Sequence, residues 1–544
     1  MVRALRRAAH RPDTYAPCLA ATLDETARGT AITSRSVTSH LAVPVTSVEQ
    51  PHQRLSSALA RTAAALLSVQ AITWLSSVIA ITIVPRKLGA HELGLLASVM
   101  MFVTVIAKFA GLGMSQHLVR EVARDASHAA ELAAEAIAWR ILAGLAVMWV
   151  AGVALWAFGA APLTLLIFAL IAAGGLAGLV QDVASSCMQG NYTLGRLAAF
   201  TGTVALLTQM AIAAALLLGG GAVSVALWTA VGGGVSALVA IAVFSRQFRL
   251  PRLSTWPRPA LLRSGLPFLS WEASLLIYGS SGFLLLPLFT GGDTVGNYAL
   301  AYRIAGVPIF ITAIITSTIY PALAQAHAQG RARWFSDALT RSIGVSLLAT
   351  VPLAVGIAID SGSIINVTGG TGEFSSSALL LTVLVLHLPL VAFNTVQGMS
   401  LFARDRQAAV AVTAWGAVLL NVLGNLIAIP LFDRLWANPA MGSVAVTLGT
   451  EVYMTVMLLC HVHPTLAKPQ LGTWLLRAGI TGGAVALVLV LGRPLGTLPA
   501  IGLAGVVYLV AGYAFAGREL LRDYSWRPRR ATAPQSPVNV ATVE

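Results

Sequence analysis

Ten side chains inside long apolar stretches of this 544-residue chain are of types that do chemistry. A charge at the centre of a bilayer costs about 2.5–3.5 kcal/mol on insertion scales, so charged residues there mark functional sites by default. Lys108 lies among Val105, Ile106, Phe109 and Ala110; it either lines a polar cavity as a cation or snorkels to an interface. Arg303 follows Tyr298 and Tyr302, and its planar fork suits phosphate oxygens, with snorkelling again the alternative. Tyr298 and Tyr302 are four residues apart and share a helix face; they stack on sugar rings or belong to an interfacial aromatic belt. Asn394 with Gln397, and Asn421 with Asn425, recur at i,i+3 and i,i+4. Each pair is a polar stripe matched either to sugar hydroxyls or to hydrogen bonds between helices. Glu272 and Glu451 are the clearest carboxylates within spans, able to carry a coupling proton or to pair with a base. The sequence has no nucleotide-binding loop, metal-ligand cluster or nucleophile–base pairing, and Cys18, Cys187 and Cys460 have no paired spacing. That argues against ATP hydrolysis and calls for no cofactor or metal.

The elements that position these residues are membrane helices. The chain is 57% hydrophobic and 10% charged, with mean hydropathy +0.78, whereas soluble domains carry about a quarter charged residues. At about 20 apolar residues per crossing, spans are expected near 64–84, 93–114, 136–158, 161–183, 197–218, 221–244, 266–289, 298–320, 340–360, 377–400, 408–430, 440–461, 471–491 and 498–516. The fold class is therefore all-α, a polytopic membrane protein of about fourteen helices. Gly174–Gly178 and Gly232–Gly234 signal close helix packing, and Pro287, Pro308, Pro352 and Pro389 signal bends or breaks.

The net charge of +14 does not point to nucleic acid, because the basic residues follow topology. With the N-terminus inside, the inner connectors and flanks hold sixteen Lys and Arg, Arg140 among them, and the outer ones hold four. Both termini are expected in the cytoplasm. The organisation reads as a disordered tail (1–62), a six-helix lobe (63–244), a basic linker (245–265), a second six-helix lobe (266–461), two further helices (462–516) and a basic tail (517–544). Asp182 and Asp360 fall at helix ends and are expected to be solvated.

The two lobes repeat. Pro85, Gly89, Gly94 and Ala97 recur as Pro287, Gly291, Gly296 and Ala299 at a constant offset of 202 residues, and Arg61 falls on Arg263. Six helices per lobe start both halves on the same side, which makes the repeats parallel about an axis along the membrane normal.

At Pro85–Asp125 the sequence PRKLGAHELGLLASVMMFVTVIAKFAGLGMSQHLVREVARD resembles the polysaccharide-transport flippases of the multidrug/oligosaccharidyl-lipid/polysaccharide superfamily. The likeness recurs in GDTVGNYALAYRIAG (Gly292–Gly306), TIYPALAQA (Thr318–Ala326), NTVQGMSLFARDRQ (Asn394–Gln407) and NVLGN (Asn421–Asn425). Gln70 departs from the pattern, where many members carry asparagine. The resemblance implies a bacterial inner-membrane transporter for O-antigen or exopolysaccharide synthesis. It would carry an undecaprenyl-pyrophosphate-linked oligosaccharide between leaflets by alternating access, beside a polymerase and glycosyltransferases. Lys108 and Arg303 would then face the lipid pyrophosphate. A multidrug antiporter of the same superfamily is the nearest alternative, and would be expected to use acids rather than cations in its cavity. A membrane polymerase or ligase is a third reading, but the longest outer connector, 361–376, contains no Arg or His.

Overall fold

The computed structural model describes residues 51–191, 193–248, 259–370 and 372–517, with the side chains of 51–75, 259–268, 271, 317–318, 468, 495 and 497–498 left out. Most of both expected tails, and Arg249, Arg252 and Arg258 of the expected linker, lie outside the described residues. A helical run Pro51–Ala110 breaks at Gly89 into α1 (51–88) and α2 (90–110). There follow α3 (Met114–Arg124), α4 (Ala129–Ala157), α5 (Pro162–Gly190), α6 (Leu194–Leu217), α7 (Ala222–Ser245), α8 (Pro259–Leu285), α9 (Gly292–Gly306) and α10 (Ile309–Ala328). The chain continues through α11 (Ala332–Ile359), α12 (Ser361–Gly369), α13 (Ser375–Leu384), α14 (His387–Phe402), α15 (Gln407–Trp436), α16 (Pro439–Val462), α17 (Lys468–Leu491) and α18 (Thr497–Gly512). Helices α2 to α18 lie within one compact unit that starts at Leu59.

Twelve described stretches are long and apolar enough to cross a membrane. The break at Gly89 divides the first, and α8 adds another, which agrees with about fourteen crossings. There is no strand among the described residues. Gly89 has φ 73°, a conformation glycine adopts without a Cβ penalty, so the chain turns sharply between α1 and α2. Pro287 falls in a single 3-10 turn after α8, and Pro308 in the break between α9 and α10. Pro389 lies in the first turn of α14, after the break from α13, while Pro352 stays within a continuous α11. The eighth and tenth crossings are therefore each built from two shorter helices.

In the first half α5 packs on α4 and α7, and in the second α16 packs on α14 and α15, with α8 against α15. A Cβ on Gly233 would stand 3.0 Å from the Gly174 carbonyl oxygen, so the small-residue signals do mark backbone approach. α17 lies along α11, and α18 packs on α17.

The halves meet where the repeat has its glycines. A Cβ on Gly94 would stand 2.0 Å from the Gly292 carbonyl oxygen, and one on Gly296 would stand 1.9 Å from that of Ala90. Shifting by 202 residues turns the first contact into the second. His91 and Asp293, 3.8 Å apart, are likewise 202 residues apart in sequence. The crossing maps onto itself, as contacts across a two-fold axis do.

Candidate functional site

Below this crossing two cavities lie between the halves. One, of about 250 Å³, is walled by Leu93, Met101 and Thr104 of α2 and by Ala299, Tyr302 and Arg303 of α9. The other, of about 410 Å³, takes Lys108 from α2, Ser115 from α3, Asp182 from α5, Thr229 from α7 and Glu272 from α8. Met100 and Thr104 line both. Lys108 is fourteen residues past Gly94 and Arg303 seven past Gly296, so at 1.5 Å rise per residue they lie about 21 and 10 Å below the crossing.

The cations differ in their partners. Lys108 Nζ lies 2.6 Å from Glu272 Oε2, joining the two halves. Glu272 is thus the counter-ion of Lys108. Arg303 is exposed toward its cavity and donates to the Ala80 carbonyl at 3.3 Å. Among the described residues no carboxylate lies within ion-pair distance of it.

Arg140 is a site residue that sequence reasoning missed. α4 begins at Ala129, seven residues before the expected start, which places Arg140 three turns inside the helix and not at its end. It is fully buried and donates to Asp182 at 2.6 Å and to Ser115 Oγ at 2.8 Å. Ser115 in turn donates to Asp182 at 2.6 Å. Asp182 is half-exposed to the larger cavity, but it is held by a buried partner and not simply solvated. The missed signal was an arginine with alanine-rich sequence on both sides.

The second half encloses a polar core with no cation among the described residues. Glu451, buried on α16, accepts from Asn394 Nδ2 at 2.9 Å and from the Tyr278 hydroxyl at 3.2 Å. Thr455 donates to Asn394 Oδ1 at 2.8 Å. Asn421 donates to Thr450 at 2.9 Å and accepts from Asn425 at 2.9 Å and from Ser281. The two asparagine stripes thus join α8, α14, α15 and α16 to one another. Gln397 is fully buried on the same helix as Asn394, and neither of its amide atoms has a hydrogen-bond partner.

The tyrosines part ways. Tyr298 is buried edge-on to Phe283 at 5.0 Å, filling the space left by Gly282, and lines neither cavity. Tyr302 lines the cavity beside Arg303, and its hydroxyl donates to the Gly279 carbonyl at 2.9 Å. The structure therefore gathers Arg303 and Tyr302 at one level, Lys108 and Glu272 at a second, and Asn394, Asn421, Asn425 and Glu451 in the second half. No group of three or more metal-ligating side chains occurs among the described residues.

A family model for polysaccharide biosynthesis proteins matches residues 59–327. The "Probable low-salt glycan biosynthesis flippase Agl15" of Haloferax volcanii is 25% identical over 179 residues, 33% of this chain and 36% of that protein. The match thus spans about a third of the curated relative. Among solved structures, the lipid II flippase MurJ in an inward closed conformation has TM-score 0.69 at 16% identity, covering 84% of this chain and all of that one. An inward-facing multidrug resistance MATE family transporter of the MOP superfamily has TM-score 0.60 at 14% identity, covering 73% and 95%. The two kinds of likeness agree: over residues 59–327 the chain is similar in sequence to polysaccharide biosynthesis proteins, and it shares the fold of these transporters.

Proposed function

We propose that this multi-pass membrane protein moves a diphosphate-linked oligosaccharide lipid across the bilayer by alternating access, and is a transporter without catalytic chemistry. The observation that carries the reading is Arg303. It is a permanently charged fork exposed to a cavity between the halves, with no carboxylate beside it among the described residues. An unpaired cation in such a place needs an anionic ligand, because an uncompensated charge in a low-dielectric site is costly. Lys108 supplies a second positive group deeper in, once a phosphate replaces Glu272. Tyr302 beside Arg303 offers an aromatic face to the first sugar. A cation antiporter would be poorly served by a site whose one unpaired charge is positive. A polymerase and glycosyltransferases are the expected neighbours in the pathway.

Reconstitution tests this directly. In proteoliposomes holding a fluorescent polyprenyl-diphosphate oligosaccharide, the protein should expose the inner-leaflet label to a membrane-impermeant quencher. Exchange of a cationic dye for protons or sodium, without lipid movement, would instead establish the antiporter reading.

The bias of Lys and Arg toward the expected inner connectors supports a bacterial inner-membrane orientation with both termini cytoplasmic and the Gly94–Gly296 crossing on the outer side. Reporter fusions after Ser245 and Gly517 should therefore read cytoplasmic, and one at Gly370 periplasmic. A periplasmic signal at Ser245 would refute that orientation.

Energy coupling is assigned to Glu451. Its carboxylate faces amide and hydroxyl donors and, among the described residues, no cation, an environment that changes strongly with its protonation. Glu451→Gln should insert normally and lose gradient-driven export, whereas Glu272→Gln, which removes only a counter-ion to Lys108, should retain the dependence on the gradient. Gradient-driven export at full rate in Glu451→Gln would remove that residue from the coupling.

A further inference from the structure

Two charges at the glycine crossing are not used by the site beneath it. Arg86, one residue past Pro85 near the end of α1, donates from Nη2 to the Asn366 carbonyl at 3.3 Å and to that of Val367. Those carbonyls belong to the last turn of α12, the partially negative end of the helix, where that of Asn366 also accepts from the Gly370 N–H at 3.2 Å. Glu373, just before α13, accepts from the Ala90 N–H at 3.1 Å. That N–H is the first donor of α2, at the partially positive end of the helix. One half therefore caps a helix C-terminus in the other, and receives an N-terminal cap in return.

The local chain is built for this. A Cβ on Gly89 would stand 2.6 Å from Glu373 Oε2, so glycine at the turn leaves room for the carboxylate. Asn297 of α9 donates to the Glu373 carbonyl at 3.2 Å and accepts from the Ser377 N–H at 3.0 Å and hydroxyl at 2.8 Å, which fixes the loop that carries the acid. Both capping side chains are solvent-exposed, so the bonds are accessible to exchange with water.

We propose that Arg86 and Glu373 form a latch that holds the Gly94–Gly296 side of the cavity shut, each by capping a helix end in the opposite half. The glycine crossing is a shape match flanked by His91 and Asp293 at 3.8 Å; the caps add a reversible term that must break whenever this side opens. Because each charge is matched to a helix dipole and not to the other charge, exchanging the two is unfavourable at both ends. The latch rests on the alternating-access reading for its role in transport, but its effect on access is measured without substrate.

The test uses the full-length protein in intact cells, with Cys18, Cys187 and Cys460 replaced by alanine and Met101→Cys as reporter beneath the crossing. Labelling by a membrane-impermeant maleimide added outside is followed in time. Glu373→Gln and Arg86→Met should each raise the rate roughly five- to tenfold, the size of a lost charged cap. The exchanged double variant, Arg86→Glu with Glu373→Lys, should label faster than either. Unchanged labelling in both single variants, or a return to the parental rate in the exchanged one, overturns the latch. Failure of the flippase reading would instead appear as absent lipid movement in proteoliposomes with the labelling differences intact.

Discussion

Arg303→Ala sharply slows surface-glycan export while protein level and insertion stay normal: that is the expected result with the largest effect on activity. A hydrogen bond to a charged group contributes about 1.5–3 kcal/mol, which corresponds to a roughly 10- to 150-fold loss in transport rate. Arg303→Lys should recover only part of it, because a point charge lacks the bidentate fork. Lys108→Arg should be tolerated, and Lys108→Glu should not, since it would place two carboxylates together at the Glu272 position. Lys108→Ala should be milder than Arg303→Ala, because Lys108 already spends part of its charge on Glu272. Export at wild-type rates from both alanine variants would show that the cavity does not bind through its cations.

Gly296→Val should disrupt the closed crossing outright. Even a Cβ would stand 1.9 Å from the Ala90 carbonyl oxygen, and backbone on both sides leaves no flexible side chain to yield. Overpacking of rigid surroundings costs about 1–3 kcal/mol, and a collision with backbone belongs at or above the top of that range. The offset predicts a matching result for Gly94→Val, whose Cβ meets the Gly292 carbonyl at 2.0 Å. Both variants should insert, lose export, and melt at lower temperature in detergent. Wild-type melting and export in either would mean that the crossing does not bear on closure.

Much of this architecture is written in composition. Apolar length alone gives about fourteen crossings, and glycines at a 202-residue offset mark the place where the halves touch. Periodicity says which residues share a helix face, but not what stands opposite. Hence Lys108 and Glu272, 164 residues apart, were legible singly and not as a pair. Tyr298 and Tyr302 share a face as their spacing requires, yet the offset of about 40° round the helix and about 6 Å along it puts one in the core and the other at the cavity. Arg140 was assigned to a helix flank because hydropathy windows place helix starts only to within a few residues. An alanine-rich first turn carries no boundary signal. The connector 361–376, which sequence reading treats as a loop, forms α12 and thereby supplies carbonyls for Arg86.

The breaks between α9 and α10 and between α13 and α14 have a mechanical consequence. Helices α9 and α13 are stapled together through Asn297 and Ser377, and each is separated from the helix that follows it by two residues that keep right-handed helical dihedrals. They form a small plate on two hinges, carrying Gly292, Gly296 and the loop of Glu373. Deforming two hinges takes less work than rocking six packed helices, whose interdigitated cores resist shear. A swing of this plate would leave the polar core around Glu451 in place, since that core is built from α8, α14, α15 and α16.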